Sequence, residues 1–293
     1  MTTQHGLSEA AGRVWLITGA SSGFGRTLTE AALAAGDTVV AAARRPQSLD
    51  ALAADHPERL VPLAMDVTDI ARAEEVVAEV VDRFGRIDVL VNNAGRGLLG
   101  AVEETTDREL RELMELHFFG PAALTRAALP HMRARKSGAI VQMSSMGGRL
   151  AFSGVGAYCA TKFALEGLTE ALANEVAGFG IKALIVEPGS FRTGFAGGDA
   201  LAHTAVLPAY EESVGPVRQG MPATDGHQPG DPVKAAAAIL TALDAENTPL
   251  RLVLGNDALD FITAHAEAAR AEARTWEAVS RGTDFDDLAP AAQ

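Results

Sequence analysis

Tyr158 and Lys162 stand four residues apart in a chain of 293 residues that holds two tyrosines. If the stretch 157–179 is helical, that spacing puts phenol and ammonium on one face. A free phenol has a pKa of about 10 and is a poor base at neutral pH. A neighbouring ammonium favours the phenolate and lowers that value. A tuned phenol can then pass a proton to or from an oxygen atom of a bound molecule. The pair alone is a weak signal, because any helix can carry Tyr and Lys one turn apart. Thirteen residues before Tyr158 stands Ser145, just past the apolar run 139–143. A hydroxyl there can donate a hydrogen bond to a carbonyl oxygen as charge develops on it. Ser144 competes for this part, and the spacing favours Ser145.

A second cluster of chemistry lies near the start. Thr18-Gly19-Ala20-Ser21-Ser22-Gly23-Phe24-Gly25 follows the first apolar run, 14–18, and opens a helix-like stretch. Glycines let the chain turn tightly and let backbone N–H groups approach a pyrophosphate. The helix N-terminus behind the turn favours negative charge. Gly19, Ser21, Ser22, Gly23, Phe24 and Gly25 are therefore candidate dinucleotide contacts, although the spacing departs from G-x-G-x-x-G. An acid at the end of the second strand would hold the ribose 2′-OH of NAD, whereas arginine suits the 2′-phosphate of NADP. Here the run 38–43 ends on Ala43, and Arg44-Arg45 follow. Guanidinium forks match phosphate geometry, so NADP(H) is the expected cofactor and NAD(H) the alternative.

Taken in order, Thr18–Gly25, Asp66-Val67, Asn92-Asn93-Ala94-Gly95, Ser145, Tyr158-Cys159-Ala160-Thr161-Lys162 and Pro188-Gly189 with Thr193 make the chain resemble the short-chain dehydrogenase/reductase (SDR) family over about residues 13–255. The turn matches the family's TGxxxGxG form. The resemblance implies that Tyr158 is the general acid/base and that Ser145 positions the substrate oxygen. It implies that Lys162 binds the nicotinamide ribose hydroxyls and lowers the Tyr158 pKa. Asp66 and Val67 would border the adenine. Asn93, with Ala94 and Gly95, would stabilise the central strand and contact the cofactor side of the cleft. Pro188, Gly189 and Thr193 would flank the nicotinamide. The family pattern N-x-x-G, whose asparagine helps a water chain reach the lysine, reads His117-Phe118-Phe119-Gly120 here. His117 could hold a water in the asparagine's place or serve a structural role.

These residues need a frame. Apolar runs at 14–18, 38–43, 60–65, 87–92, 139–143, 181–187 and 250–254 alternate with longer helix-like segments. Near-continuous apolar strands indicate a sheet covered on both faces. The alternation indicates βαβ units. The expected fold is α/β: a Rossmann-type, doubly wound parallel seven-stranded sheet flanked by helices, in one domain. Asp69 can cap a helix over 70–84 that Gly85 ends, and Thr105 or Thr106 can begin the next. Residues 1–12 read as a disordered lead, 13–255 as the catalytic domain, and 256–293 as a C-terminal helical extension of it. Asn256 is expected to cap that extension's helix. Its stripe of Leu259, Ile262, Ala266, Ala269, Ala273 and Trp276 is expected to pack on the body or a neighbouring subunit. The glycine- and proline-rich segment 194–232 reads as a long irregular substrate lid. Its Leu201, Val206, Leu207, Tyr210, Val214, Val217 and Met221, with Met143, Phe152, Phe191 and Phe195, are candidate pocket residues.

Composition narrows the partners. A formal net charge of −13 argues against general affinity for nucleic acid or anionic membranes, which need basic surface. The single cysteine, Cys159, excludes an internal disulfide and a cysteine-based metal site, and no metal is expected. With no secretory pattern or spanning apolar run, a cytoplasmic location is expected. The reading is an NADP(H)-dependent oxidoreductase that interconverts a ketone or aldehyde and an alcohol. The resemblance also implies a homo-oligomer, dimer or tetramer. The rival reading is a non-catalytic NADP(H)-binding sensor or scaffold of the same fold.

Overall fold

The computed structural model describes residues 12–198 and 200–285. The expected lead therefore lies, but for Gly12, outside the described residues. The strands are β1 (Val14–Thr18), β2 (Thr38–Ala43), β3 (Leu60–Ala64), β4 (Val89–Asn92), β5 (Gly97–Leu99), β6 (Gly138–Met143), β7 (Ile181–Pro188), β8 (Leu201–His203) and β9 (Arg251–Leu254). The helices are α1 (Gly23–Ala34), α2 (Asp50–Asp55), α3 (Ile70–Phe84), α4 (Asp107–Met114), α5 (Gly120–Arg135), α6 (Gly156–Val176), α7 (Glu211–Ala223), α8 (Pro232–Asp244), α9 (Asn256–Thr275) and α10 (Glu277–Arg281).

Seven strands form one sheet in the order β3-β2-β1-β4-β6-β7-β9, and every pair is parallel. Strand alternation explains why the runs are apolar throughout. Trp15, Ile17, Val39 and Ala41 point to one face, where they meet Leu28 and Ala32 of α1 and Ala236 and Ile239 of α8. Val14, Leu16, Val40 and Ala42 point to the other, against α3, α5 and α6. A sheet buried on both sides leaves no polar alternation to read. The strand order reverses between β1 and β4, which opens a crevice above their carboxyl ends. Thr18, Asn92, Met143 and Pro188 end β1, β4, β6 and β7 around it.

The expected boundaries need small corrections. The ladder stops at Ala64 and starts at Val89, although Met65 and Ile87 are buried; burial continues where hydrogen-bond pairing has ended. Asp69 accepts from the Arg72 N–H and Gly85 ends α3 in the left-handed region at φ 74°, as expected. Thr106 and Glu109 form a reciprocal capping box on α4, the stronger form of the expected start. Asp69→Ala is expected to cost about 1 kcal/mol, read as a lower denaturation midpoint with unchanged slope.

Two expectations fail more clearly. The segment 194–232 is not irregular throughout: it holds β8 and the thirteen-residue α7, with Pro216 and Pro222 inside the helix. Tertiary anchoring overrides the proline signal there, since Val214 is buried. In the C-terminal extension, Gly255 at φ 97° takes the cap position and Asn256 makes no side-chain cap. Only Ala258 and Ile262 of α9 are buried, against Leu150, Met146, Phe152 and Val253. Leu259 and Trp276 are 55% and 58% exposed, so the stripe leaves the body after two turns. Among the described residues no helix is long and apolar enough to cross a membrane.

Candidate active site

A cleft of about 1750 Å³ runs along the carboxyl edge of the sheet. Its wall carries Ser145, Tyr158, Lys162 and His117, together with Gly19, Ser21, Ser22, Gly23, Phe24, Arg44, Arg45, Asp66, Val67, Asn93, Ala94, Gly95, Pro188, Gly189 and Thr193. Gly25 does not line it.

The turn after β1 is held from below. Thr18 Oγ1 accepts from the N–H groups of Asn93 and Ala94 at 3.0 and 3.1 Å. Asn93 Nδ2 donates to the carbonyls of Thr18 and Gly19 at 2.9 and 3.3 Å. Gly19 itself sits at φ 64°, a conformation that side chains disfavour. Ser22, at the cap position of α1, makes no side-chain cap, so the first-turn N–H groups are free for an anion. Gly25 serves packing: a Cβ there would fall 2.3 Å from Gly19 O and 2.5 Å from Asn93 Nδ2. Gly25→Ala is expected to lose about 1–3 kcal/mol or more through overpacking, with weakened cofactor binding in titrations of whatever folds.

At the end of β2, Ala43 is buried and Arg44 and Arg45 are exposed. Neither guanidinium enters an ion pair with another described residue. Asp66 accepts from the Thr68 N–H at 3.0 Å and its hydroxyl at 2.7 Å. Burial would raise its pKa, but those bonds and the Arg44 charge hold it below the ordinary value.

α6 carries Tyr158 and Lys162 one turn apart. Ser145 stands beside Tyr158 and draws its pKa down, and Ser145 Oγ accepts from the Gly147 N–H at 3.0 Å. Ser144, the competing serine, is instead buried beside Glu166. Lys162 Nζ lies 5.7 Å from the phenol ring centre and donates to Met143 O at 2.8 Å. Burial pushes the phenol up to about 12, against the opposing pull of the Ser145 side chain. This reverses the expected depression, because the ammonium lies over the ring and binds a carbonyl, leaving burial dominant. Burial also pulls Lys162 down to about 8, opposed by Glu166.

His117 sits in a single π-helical turn, Glu115–Phe119, between α4 and α5. Such turns often occur at functional sites. Its Nε2 accepts from the Arg96 N–H at 3.1 Å and its Nδ1 meets Thr161 Oγ1 at 2.8 Å. Both ring nitrogens are thus engaged by the protein, and neither is left for a water. Burial, with Lys162 and Arg96 nearby, holds its pKa well below the ordinary value.

The lid segment supplies the other wall. The Phe195 ring lies 5.7 Å from that of Tyr158, tilted by 59°. Met143, Phe152, Phe191, Val217 and Met221 line the cleft, whereas Leu201, Val206, Leu207, Tyr210 and Val214 do not. Leu201 is committed to β8, paired with Gly97 of β5, and Val206 and Leu207 face solvent. Sequence reasoning missed what fastens this lid. The Glu104 carboxylate, fully buried, accepts from the N–H groups of Ala101 and Leu207 at 2.7 Å each and from Arg218 at 2.6 Å. Glu104→Ala is expected to lower Tm and raise the substrate KM while NADPH affinity changes little; equal loss of both affinities would contradict a lid-specific role. Also missed was Asp257, whose carboxylate accepts from the Ser190 N–H at 2.7 Å and pins the Pro188–Ser190 wall.

Similarity to known proteins agrees with this geometry. The family model for short chain dehydrogenase matches residues 13–201. Oxidoreductase BOA17 of Botryotinia fuckeliana is 38% identical over 269 residues, spanning 92% of this chain and 98% of that protein. The crystal structure of a short-chain dehydrogenase from Streptomyces avermitilis is 60% identical, with a TM-score of 0.90, covering 94% of this chain and all of that one. The structure of ElxO with NADP bound is 27% identical, with a TM-score of 0.70 over 85% of this chain and 99% of its own. The chain belongs to the short-chain dehydrogenase/reductase family, oxidoreductases that act on CH–OH groups.

Proposed function

We propose that this oxidoreductase reduces a moderately apolar ketone or aldehyde with NADPH, with Tyr158 as proton donor. One observation carries the reading: Tyr158, beside Ser145 and one turn from Lys162, lines the same cleft as the glycine turn and the arginine pair.

The residues fit the cofactor. The Gly19–Gly23 turn and free N–H groups of α1 suit the pyrophosphate. Arg44 and Arg45 suit a 2′-phosphate, with no acid at Ala43 to hold a 2′-OH; the NADP bound by ElxO is consistent with this choice. Asp66 and Val67 border the adenine site, and Pro188, Gly189 and Thr193 the nicotinamide site. When bound, NADPH supplies a hydride from nicotinamide C4 to the carbonyl carbon.

Ser145 holds the carbonyl oxygen by hydrogen bonding as negative charge grows on it. Tyr158, with a phenol held near 12, is protonated at neutral pH and delivers that proton to the developing alkoxide. Lys162 gives one N–H to Met143 O and keeps two for ribose hydroxyls. Phe152, Phe195, Val217 and Met221 shape an apolar substrate wall. A panel of aromatic and aliphatic ketones, assayed with NADPH and NADH, tests the reading. Turnover faster with NADPH is expected; tight NADPH binding without turnover on any carbonyl would oppose it.

A further inference from the structure

We propose that His117 is a positioning residue: a neutral imidazole brace that fixes the Tyr158-bearing turn of α6 to the loop after β4, and not a member of the proton path. The proposal rests on the reading of Tyr158 as proton donor.

The hydrogen-bond directions close on themselves. The Arg96 backbone N–H can only donate, so His117 Nε2 must accept and carries no proton. In a neutral ring the proton then sits on Nδ1, which donates to Thr161 Oγ1 at 2.8 Å. Thr161 Oγ1 uses its own proton on the Tyr158 carbonyl at 2.7 Å. The chain therefore runs from the Arg96 amide through imidazole and hydroxyl to the Tyr158 backbone, with every donor used.

Packing supports the same role. His117 is 1% exposed and Thr161 fully buried. The imidazole stands edge-on to the Tyr158 ring at 5.5 Å and 90°. A Cβ on Gly95 would press on Nε2 at 3.2 Å, so the loop leaves the ring one seat. Three elements meet there: the loop 93–96, which faces the cofactor side of the cleft, the π-turn between α4 and α5, and the first two turns of α6. The brace sets the height of the phenol over the nicotinamide site relative to Asn93–Gly95. Burial disfavours imidazolium, and the cationic Lys162 on α6 and Arg96 on the loop add to it, although Arg96 is paired with Glu112 and Glu115 shares the π-turn. An imidazolium would aim an N–H at the Arg96 N–H and open the brace. A proton relay requires the ring to alternate between those states.

A double-mutant cycle of His117→Phe and Thr161→Val tests this, with Tyr158→Phe as the reference. The expected result is a fall in kcat of about tenfold to a hundredfold for each single variant, the size of a sub-ångström misplacement. The double variant should lie within about twofold of the singles, because both cut one chain. Fluorescence titration should show NADPH affinity nearly unchanged in all three. Full kcat in Thr161→Val with loss in His117→Phe would overturn the proposal in favour of a relay. Losses that multiply, or a lowered Tm with unchanged kcat in the folded fraction, would also overturn it. If Tyr158→Phe keeps turnover, the Tyr158 reading itself falls; if that variant is dead while both brace variants are fully active, only the brace falls.

Discussion

Tyr158→Phe is expected to lower kcat by about 10²–10⁴-fold, the contribution of a positioned acid/base, while NADPH binds with little change. The substitution removes one oxygen and keeps the ring that packs between His117 and Phe195, so folding should survive. In the proposed reading that hydroxyl is the proton source for the oxygen that Ser145 would hold. Retained turnover would move the proton donor elsewhere in the cleft. A pH signature accompanies the prediction. The phenol is held at about 12, above its ordinary 10. A raised folded-state pKa favours the fold fully below pH about 10 and loses that contribution as pH climbs toward about 12. Wild-type protein should therefore show an alkaline loss of stability in that window that Tyr158→Phe lacks. Near neutral pH, reduction should be insensitive to ionisation of this group.

The second large effect concerns cofactor choice. Arg44→Ala with Arg45→Ala should raise the KM for NADPH about 10–100-fold at low salt, from hydrogen bonds to a charged phosphate worth about 1.5–3 kcal/mol. Both side chains are exposed, so solvent screening places the loss toward the lower end. NADH kinetics should hardly change, because the 2′-hydroxyl offers no charge to these groups. Rising salt should erode wild-type NADPH affinity and leave the double variant nearly flat. Equal losses for both cofactors would mean that the arginines support the strand end and do not read the 2′-phosphate.

The frame was legible because its cause is local. Parallel strands buried on both faces read as unbroken apolar runs, and β1 and β2 begin and end where the pattern says. Asp69 and Gly85 bound α3 through hydrogen bonding and backbone preference within a few residues. The candidate site was legible where chemistry follows spacing: Tyr158, Lys162 and Ser145 line one cleft with the glycine turn. Three kinds of feature escaped. Tertiary anchoring made a helix of the proline-bearing segment 211–223. Partners distant in sequence carry the lid latch, since Glu104 reaches Arg218 and Leu207, and likewise the contact of Asp257 with Ser190. Finally, a lysine four residues from a tyrosine announces its charge but not its aim. Lys162 turned toward Met143 O, and burial, which no spacing reveals, set the direction of the phenol's shift.

Hydride transfer from NADPH deuterated at nicotinamide C4 to a panel of carbonyl compounds, followed by mass spectrometry of the products, reaches the central claim most directly. The expected result is an alcohol carrying deuterium on the former carbonyl carbon, formed by the wild-type chain and absent with Tyr158→Phe. Tight binding of the cofactor with no deuterium transferred to any carbonyl would contradict it, and would favour a chain that binds the dinucleotide without using it.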